Sequence, residues 1–174
     1  MQQKLITFAV PCYNSAAYMR HCIETLLSAG ERAEIILVDD GSVKDETPAI
    51  CDEYAAKYPT IVKAIHQENG GHGEGVNQGI RNATGVYFKV VDSDDWLDTD
   101  ALQQVLAELR AHLNDEQPLD LMMANYVYEH VADNTRNIVD YKGILPEGRV
   151  FTWEEIGNCL LYTSPSPRDK RQSR

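Results

Sequence analysis

The sequence has few cysteines and no long hydrophobic run. Its four cysteines form no C-x-x-C pair and no cysteine–histidine spacing typical of a metal site. We therefore expect reduced thiols in a reducing compartment and predict a cytoplasmic location. No apolar segment approaches the roughly 20 residues needed to cross a membrane, and the first residues lack the pattern of a signal peptide. These features disfavour a secreted disulfide scaffold and an integral membrane protein.

Positive charge is also scarce. Lys and Arg together number 16 against 27 Asp and Glu, which gives a formal net charge of −11. This balance disfavours nonspecific attraction to nucleic acid or anionic lipid, and we expect no nucleic-acid partner. An acidic protein that handles an anionic substrate needs a metal ion or backbone dipoles to offset the repulsion.

The pattern along the 174 residues favours an α/β fold. Hydrophobic residues make up 43% of the chain, which is ordinary for a globular domain. Strands are predicted at residues 4–10, 34–38, 61–66 and 86–91, and the first, second and fourth of them are predicted to be buried. Helices are predicted from about Ser15 to a cap at Gly30, at 45–58, at 76–83 and along an apolar face that runs from Ala101 to Leu113. Strands that alternate with helices predict a Rossmann-like, mostly parallel sheet flanked by helices, with ligands at the carboxyl ends of the strands.

The pattern weakens after Pro118. Residues 120–124 and 126–131 are predicted strands, and a further helix is predicted to begin at Trp153. The basic ending resembles a spurious sequence that is often appended to open reading frames. We therefore predict that residues 159–174 are an artefactual or disordered tail.

An acidic cluster follows the fourth predicted strand. Asp92, Asp94 and Asp95 place three carboxylates within four residues, and they repel one another unless a cation neutralises them. Mg²⁺ takes one or two carboxylates and completes its shell with water and substrate phosphates. The cluster therefore favours a metal site. The alternative is a solvated acidic turn in which Asp94 or Asp95 caps the next helix.

Two further polar segments follow predicted strands. A carboxylate of Asp39 or Asp40 can accept hydrogen bonds from a base or a ribose, although Asp40 or Ser42 could instead cap the following helix. The glycine-rich loop at 70–75 does not have G-x-G-x-x-G spacing, but its amides could approach a phosphate. His72 in this loop is a candidate phosphate or substrate contact, or simply an exposed histidine.

Four motifs in order carry a resemblance to a known family. They are Phe8-Ala9-Val10-Pro11-Cys12-Tyr13-Asn14, Ile36-Leu37-Val38-Asp39-Asp40-Gly41-Ser42, Asn69-Gly70-Gly71, and Gly85 through Asp95. Together they resemble family 2 glycosyltransferases over residues 4 to about 115. The resemblance implies a GT-A fold, Mg²⁺ or Mn²⁺ as cofactor, and a nucleotide-sugar donor, often a UDP-sugar, used with inversion. It also implies a saccharide or lipid-linked acceptor, a role in cell-surface polysaccharide synthesis, and peripheral membrane association of the full-length protein.

The same resemblance assigns roles to individual residues. Pro11 and Tyr13 would line the base pocket, and Asp39 or Asp40 would contact uracil. The remaining donor residues would be Gly70, Gly71, Asn77 and Asp92, and Asp94, with Asp92, would hold the cation. One departure is Val76, which stands where the family often has an arginine. A diphosphate contact from that position is therefore not expected.

The resemblance also bears on domain organisation. We predict one domain over residues 1–158, with a nucleotide-sugar-binding part at 4–115 and an incomplete acceptor part at 116–158. The family's general base is an aspartate in a Glu-Asp-type motif, and no Glu-Asp pair follows Asp95. We therefore expect the general base to be missing through truncation. The alternative function is a noncatalytic nucleotide-sugar-binding fragment.

Overall fold

The structure, a computed structural model, describes residues 3–116, 118–130, 135–141, 143 and 145–156. The chain divides into two compact units, Met1–Glu116 and Gln117–Arg174. The first unit contains the four-stranded sheet, and the second contains a two-stranded sheet.

The sheet of the first unit is entirely parallel. Its strands are β1 (Ile6–Cys12), β2 (Ala33–Asp39), β3 (Val62–His66) and β4 (Tyr87–Val90), in the order β3-β2-β1-β4. Every residue of the two central strands, β1 and β2, is buried, which explains why both are nearly continuous apolar runs in the sequence.

Four helices accompany the sheet. They are α1 (Met19–Leu27), α2 (Thr47–Lys57), α3 (His72–Asn82) and α4 (Thr99–Ala111). On one face of β1, Phe8 and Val10 join a core with Met19 and Ile23 of α1. On the other face, Ala9 lies against α3. The predicted fold class, a parallel α/β sheet flanked by helices, is confirmed.

The first strand and helix differ from the prediction at their boundary. Pro11 does not end β1 but lies within it, opposite Val38 of β2. The carbonyl of Ala9 faces β4, where it accepts from the amide of Val91, so the nitrogen of Pro11, two residues on, faces the same side. β4 ends at Val90, and the missing N–H of proline therefore breaks no ladder bond there. Helix α1 begins at Met19 rather than near Ser15.

The predicted core faces also need correction. The spacing of Tyr18, Cys22 and Leu26 in the sequence predicts that all three lie on the buried side of the first helix. Cys22 and Leu26 are buried, but Tyr18 is 63% exposed. β4 is an edge strand of this sheet rather than a fully buried one, and its Phe88 is 38% exposed. In α4, the predicted apolar face is confirmed for Leu102, Leu106 and Leu109, which are buried, whereas Ala101 is exposed.

Helix α3 begins earlier than predicted. It starts at His72 and so includes most of the glycine-rich segment that was expected to be a loop. Two of these glycines allow the helix to approach the sheet closely. A Cβ at Gly75 would lie 3.1 Å from the Cβ of Pro11, and a Cβ at Gly79 would collide with the Cβ of Ala9. Glycine here serves packing rather than loop flexibility.

The second unit contains a β-hairpin. Strands β5 (Tyr126–His130) and β6 (Thr135–Val139) pair antiparallel, which confirms the strand predicted at 126–131 for its described residues. The strand predicted at 120–124 is wrong, because residues 121–125 have no regular structure. The short helix α5 (Trp153–Ile156) begins at the predicted residue. The predicted tail at 159–174 lies outside the described residues.

Within the described ranges, none of the helices combines the length and the apolar character that crossing a bilayer requires.

Candidate functional site

The loops at the carboxyl ends of the strands in the first unit enclose a cleft of about 490 Å³. Each of the four strand ends contributes side chains to it. The lining includes Pro11 within β1 and Tyr13 after it, Asp40 after β2, Asn69, Gly71 and His72 after β3, and Asp92 and Asp94 after β4. The structure therefore brings together most of the residues singled out from the sequence.

Asp40 ties the glycine-rich segment to the end of β2. Its Oδ1 accepts from the amide of Gly70 at 2.7 Å and from Nε2 of Gln67 at 2.6 Å, and its Oδ2 accepts from the amide of Gly71 at 2.8 Å. Burial by itself raises the pKa of Asp40, but these hydrogen bonds outweigh it and hold the pKa below the ordinary value. The alternative role of Asp40 as a helix cap is wrong.

Asp39 is itself buried, but it does not line the cleft. Its Oδ1 accepts from the amide of Ser42 at 3.0 Å, and its Oδ2 lies 3.0 Å from Nδ1 of His66. The other ring nitrogen of His66 lies 3.0 Å from a carboxylate oxygen of Asp52 on α2. Of the two adjacent aspartates, only Asp40 lines the cleft.

The histidine bridge predicts a pH dependence of stability. Hydrogen bonds to the carboxylates of Asp39 and Asp52 raise the pKa of His66 above its ordinary value. The contribution of the charged imidazole is therefore fully present below the unfolded pKa of about 6.5 and is lost as pH rises through the folded pKa. We expect the Tm of the wild-type protein to fall, relative to that of His66→Gln, as pH is raised from 6 to 8 in thermal melts. Asp52→Asn, which keeps one partner, should give an intermediate slope. Identical slopes for the wild type and His66→Gln would contradict this assignment.

The segment after β1 is held in an uncommon backbone conformation. Asn14 has a φ of +51°, in the left-handed region that asparagine tolerates better than most residues. Its amide donates to Oγ of Ser42 at 2.9 Å, and its Oδ1 accepts from the amide of Lys44 at 3.1 Å. These bonds join the loops after β1 and β2, and Tyr13 is left 50% exposed at the cleft.

Two serines that the sequence analysis missed connect the loops that follow the neighbouring strands β1 and β4. Oγ of Ser93 donates to Oγ of Ser15 at 2.8 Å, and Oγ of Ser15 also accepts from the amide of Tyr13 at 3.0 Å. The positions of Ser15 and Ser93 in the loops after predicted strands are the signal that could have identified them. Gln67, which donates to Asp40, was also missed, although it directly follows the third predicted strand.

The acidic loop after β4 forms one wall of the cleft. Oδ1 of Asp92 lies 2.7 Å from Nε2 of His72. The pKa of Asp95 is raised by partial burial and by the charges of Asp94 and Asp92. Burial and the same carboxylates raise the pKa of the Cys22 thiol to about 12. Negative charge is thus concentrated at this strand end.

The helix cap predicted for this loop falls on a different residue. Oδ1 of Asp98 accepts from the amide of Ala101 at 2.8 Å at the start of α4. The interpretation of Asp94 or Asp95 as the cap is therefore wrong. Both carboxylates remain available for other partners in the loop.

The donor set at the cleft suits a divalent cation that is shared with a ligand. Within the described ranges, no group of three or more Asp, Glu, His or Cys side chains is placed to hold a metal by itself. Asp92 and Asp94, which both line the cleft, supply two carboxylates. Mg²⁺ is commonly held by one or two carboxylates together with substrate phosphates and water. The residues present therefore fit a cation that binds with a phosphorylated ligand.

Besides Asp39, two predicted donor residues lie outside the lining of the cleft. Asn77 is on α3, where its Nδ2 donates to Glu74 at 3.2 Å. Gly70 does not face the cleft, but its backbone N–H donates a hydrogen bond to Asp40.

A parallel α/β sheet with a cleft of this composition at its carboxyl edge has a match among known families. Residues 7–116 match the model of glycosyl transferase family 2. The chain belongs to this family.

Individual relatives support the same placement. The chain is 39% identical to EpsH of Bacillus subtilis (strain 168), covering 90% of this chain and 47% of EpsH. It is 36% identical to the glycosyltransferase GlyG of Streptococcus pneumoniae serotype 4, covering 71% of this chain and 39% of GlyG. It is also 36% identical to the minor teichoic acid biosynthesis protein GgaA of B. subtilis, covering 58% of this chain and 24% of GgaA. The chain spans less than half the length of each of these relatives.

Solved structures share the fold. TarS 1–349 of S. aureus superposes with a TM-score of 0.55 at 28% identity, covering 63% of this chain and 33% of TarS 1–349. The same TarS fragment has been solved with UDP and with UDP-GlcNAc. The mannosyltransferase PcManGT of Pyrobaculum calidifontis, in complex with GDP-Man and Mn²⁺, has a TM-score of 0.51 at 25% identity. The match covers 59% of this chain and 31% of PcManGT.

Proposed function

We propose that this chain forms the donor-binding part of an inverting, divalent-metal-dependent glycosyltransferase. The donor is a UDP-sugar, and the acceptor is a saccharide or a lipid-linked saccharide of a cell-surface polymer. The observation that carries the proposal is the cleft, where a half-exposed tyrosine, a fixed glycine segment and three carboxylates meet at the ends of four parallel strands. Solved relatives with UDP, UDP-GlcNAc and GDP-Man support this class of donor.

Tyr13 and Asp40 are suited to recognise the nucleoside. The half-exposed ring of Tyr13, beside Pro11, offers a surface on which a base can stack. Asp40 already accepts three hydrogen bonds, and an ionised carboxylate has about four acceptor positions. One position therefore remains for an N–H of a base or a hydroxyl of a ribose. Asp40 rather than Asp39 takes this role, because Asp39 bonds to His66 and lies outside the cleft lining.

The opposite side of the cleft is suited to the diphosphate. Asp94 and Asp92 would hold the cation, which when bound supplies positive charge to the departing nucleoside diphosphate. Helix α3 begins at His72, which lines the cleft, so its positive N-terminal end also faces the anionic group. His72 holds Asp92 through their 2.7 Å contact and so orients this carboxylate.

We assign the general base to a residue outside the donor cleft. The three carboxylates that line the donor cleft, Asp40, Asp92 and Asp94, all have donor-side roles in this proposal. We place the base beyond residue 116, in the acceptor part of the full-length protein. A nucleotide-sugar-binding fragment without transfer chemistry is the alternative, and release of UDP from a UDP-sugar in the presence of acceptor distinguishes the two.

Nucleotide selectivity tests the proposal directly. In calorimetry with Mn²⁺, we expect UDP to bind more tightly than GDP or TDP, and Asp40→Asn to weaken UDP binding by at least about tenfold, since an amide cannot accept from all of these donors. Asp100→Asn is the matched control, because it makes the same charge change at an exposed position of α4. Equal affinity for the three nucleotides, or equal affinity of both variants for UDP, would contradict the proposed recognition.

A further inference from the structure

A second cleft lies beside the donor cleft. It has a volume of about 310 Å³ and lies between the first residues of α1 and the acidic loop. Its lining includes Tyr18, Arg20, His21, Asp94, Asp95 and Trp96. Asp94 lines both clefts and therefore stands in the wall between them. The donor-side roles described above leave this second cleft without a ligand.

Two exposed aromatic side chains, Tyr18 and Trp96, line this cleft. Trp96 is 40% exposed, although its ring lies 5.2 Å from that of His21 at an interplanar angle of 56°. The histidine supports the indole on one side and leaves much of it open. Tyr18, on the opposite element, is 63% exposed. Large aromatic side chains with an apolar face and a polar edge are suited to ligands that have both kinds of surface.

The charges around the cleft disfavour an anionic ligand. Asp94 and Asp95 both line it, and their carboxylates accept hydrogen bonds but repel phosphate. Among the described residues that line the cleft, Arg20 is the single lysine or arginine. Its guanidinium is committed to Glu53 through contacts of 2.6 and 2.9 Å, and it lies over the ring of Tyr54. A neutral ligand rich in hydroxyl donors fits these groups.

We propose that the second cleft binds a neutral sugar residue of the acceptor, with its apolar C–H face on Trp96 and its hydroxyls on the acidic loop. This inference rests on the proposed function and names the acceptor side of the same site. The volume lies at the lower end of small-molecule sites, which suits one sugar ring. Because Asp94 borders both clefts, a hydroxyl of this sugar lies next to the donor cleft, where an attacking group must lie.

The test measures sugar and nucleotide binding separately. Methyl β-D-glucopyranoside, methyl β-D-galactopyranoside and N-acetylglucosamine are titrated against the 174-residue protein with Mn²⁺ and UDP, and their binding is followed by saturation-transfer NMR. We expect at least one to bind, and Trp96→Ala to weaken that binding by about tenfold, as for loss of an aromatic anchor. Tyr18→Ala, at an exposed position, should weaken it without loss of the fold. Both variants should keep wild-type UDP affinity in calorimetry.

Tyr13→Ala is the reciprocal control, since it should weaken UDP binding and leave sugar binding unchanged. Absence of binding for all three sugars, or unchanged sugar binding in both Trp96→Ala and Tyr18→Ala, would overturn the acceptor assignment. Displacement of the bound sugar by UDP-GlcNAc but not by UDP would also overturn it, since the cleft would then hold the donor's sugar. If the wild type bound the sugars but no nucleotide, the proposed function would fail while this subsite stood.

Discussion

Removal of divalent cations should abolish detectable binding of UDP to this protein. The diphosphate is anionic, the chain carries a net charge of −11, and two carboxylates line the cleft where the diphosphate is placed. Without a cation, these charges repel one another in a partly enclosed site. Calorimetry with Mn²⁺ and then with excess EDTA measures the effect. Uridine, which lacks phosphate, should bind equally in both buffers.

The matched variants Asp94→Asn and Asp95→Asn distinguish a carboxylate that binds the metal from one that only adds negative charge nearby. Each removes one negative charge from the same loop, but only Asp94 lines the donor cleft. Loss of a group that merely supports a metal ligand costs about 10–100-fold in affinity, so we expect Asp94→Asn to lose about 100-fold in Mn²⁺-dependent UDP binding. Asp95→Asn should change it by less than about threefold, in line with a partly exposed charge. Equal losses in the two variants, or UDP binding that survives EDTA, would refute the metal assignment.

The largest effect on stability is expected at Gly79. Its added Cβ would collide with the Cβ of Ala9, a fully buried residue of the central strand β1. Helix α3 and the sheet would have to separate, and overpacking of this kind costs about 1–3 kcal/mol. Because the contact lies at a rigid sheet, we expect the free energy of unfolding of Gly79→Ala, measured by urea denaturation, to fall by about 3 kcal/mol.

Gly73→Ala is the matched control on the same helix. No atom lies within 4 Å of the Cβ that would be added there. Alanine is a better helix former than glycine by about 0.5–1 kcal/mol, so this variant should be equally or more stable than the wild type. If both variants lost stability to a similar extent, the tight approach of α3 to β1 would be disproved.

The sheet could be predicted because β1 and β2 are long apolar runs that end in polar clusters, and parallel strands bring such clusters to one edge. The start of α3 could not be predicted, because glycine usually indicates a loop. The packing role of Gly79 depends on Ala9, which is far away in sequence. The sequence also could not predict that Asp40 lines the cleft and Asp39 does not. Alternation along a strand indicates that neighbours point in different directions, but only the positions of His66 and Gly70 decide which aspartate meets the cleft.

The three hydrogen bonds of Asp40 have a consequence for the energetics of ligand capture. They hold Gln67, Gly70 and Gly71 in place through contacts within the chain itself, so the chain entropy of this segment is lost during folding and not at the moment of association. A nucleotide then meets a preorganised surface, and more of its contact energy appears as affinity. The depressed pKa of Asp40 extends this preorganisation to acid conditions in which an ordinary carboxylate would begin to protonate.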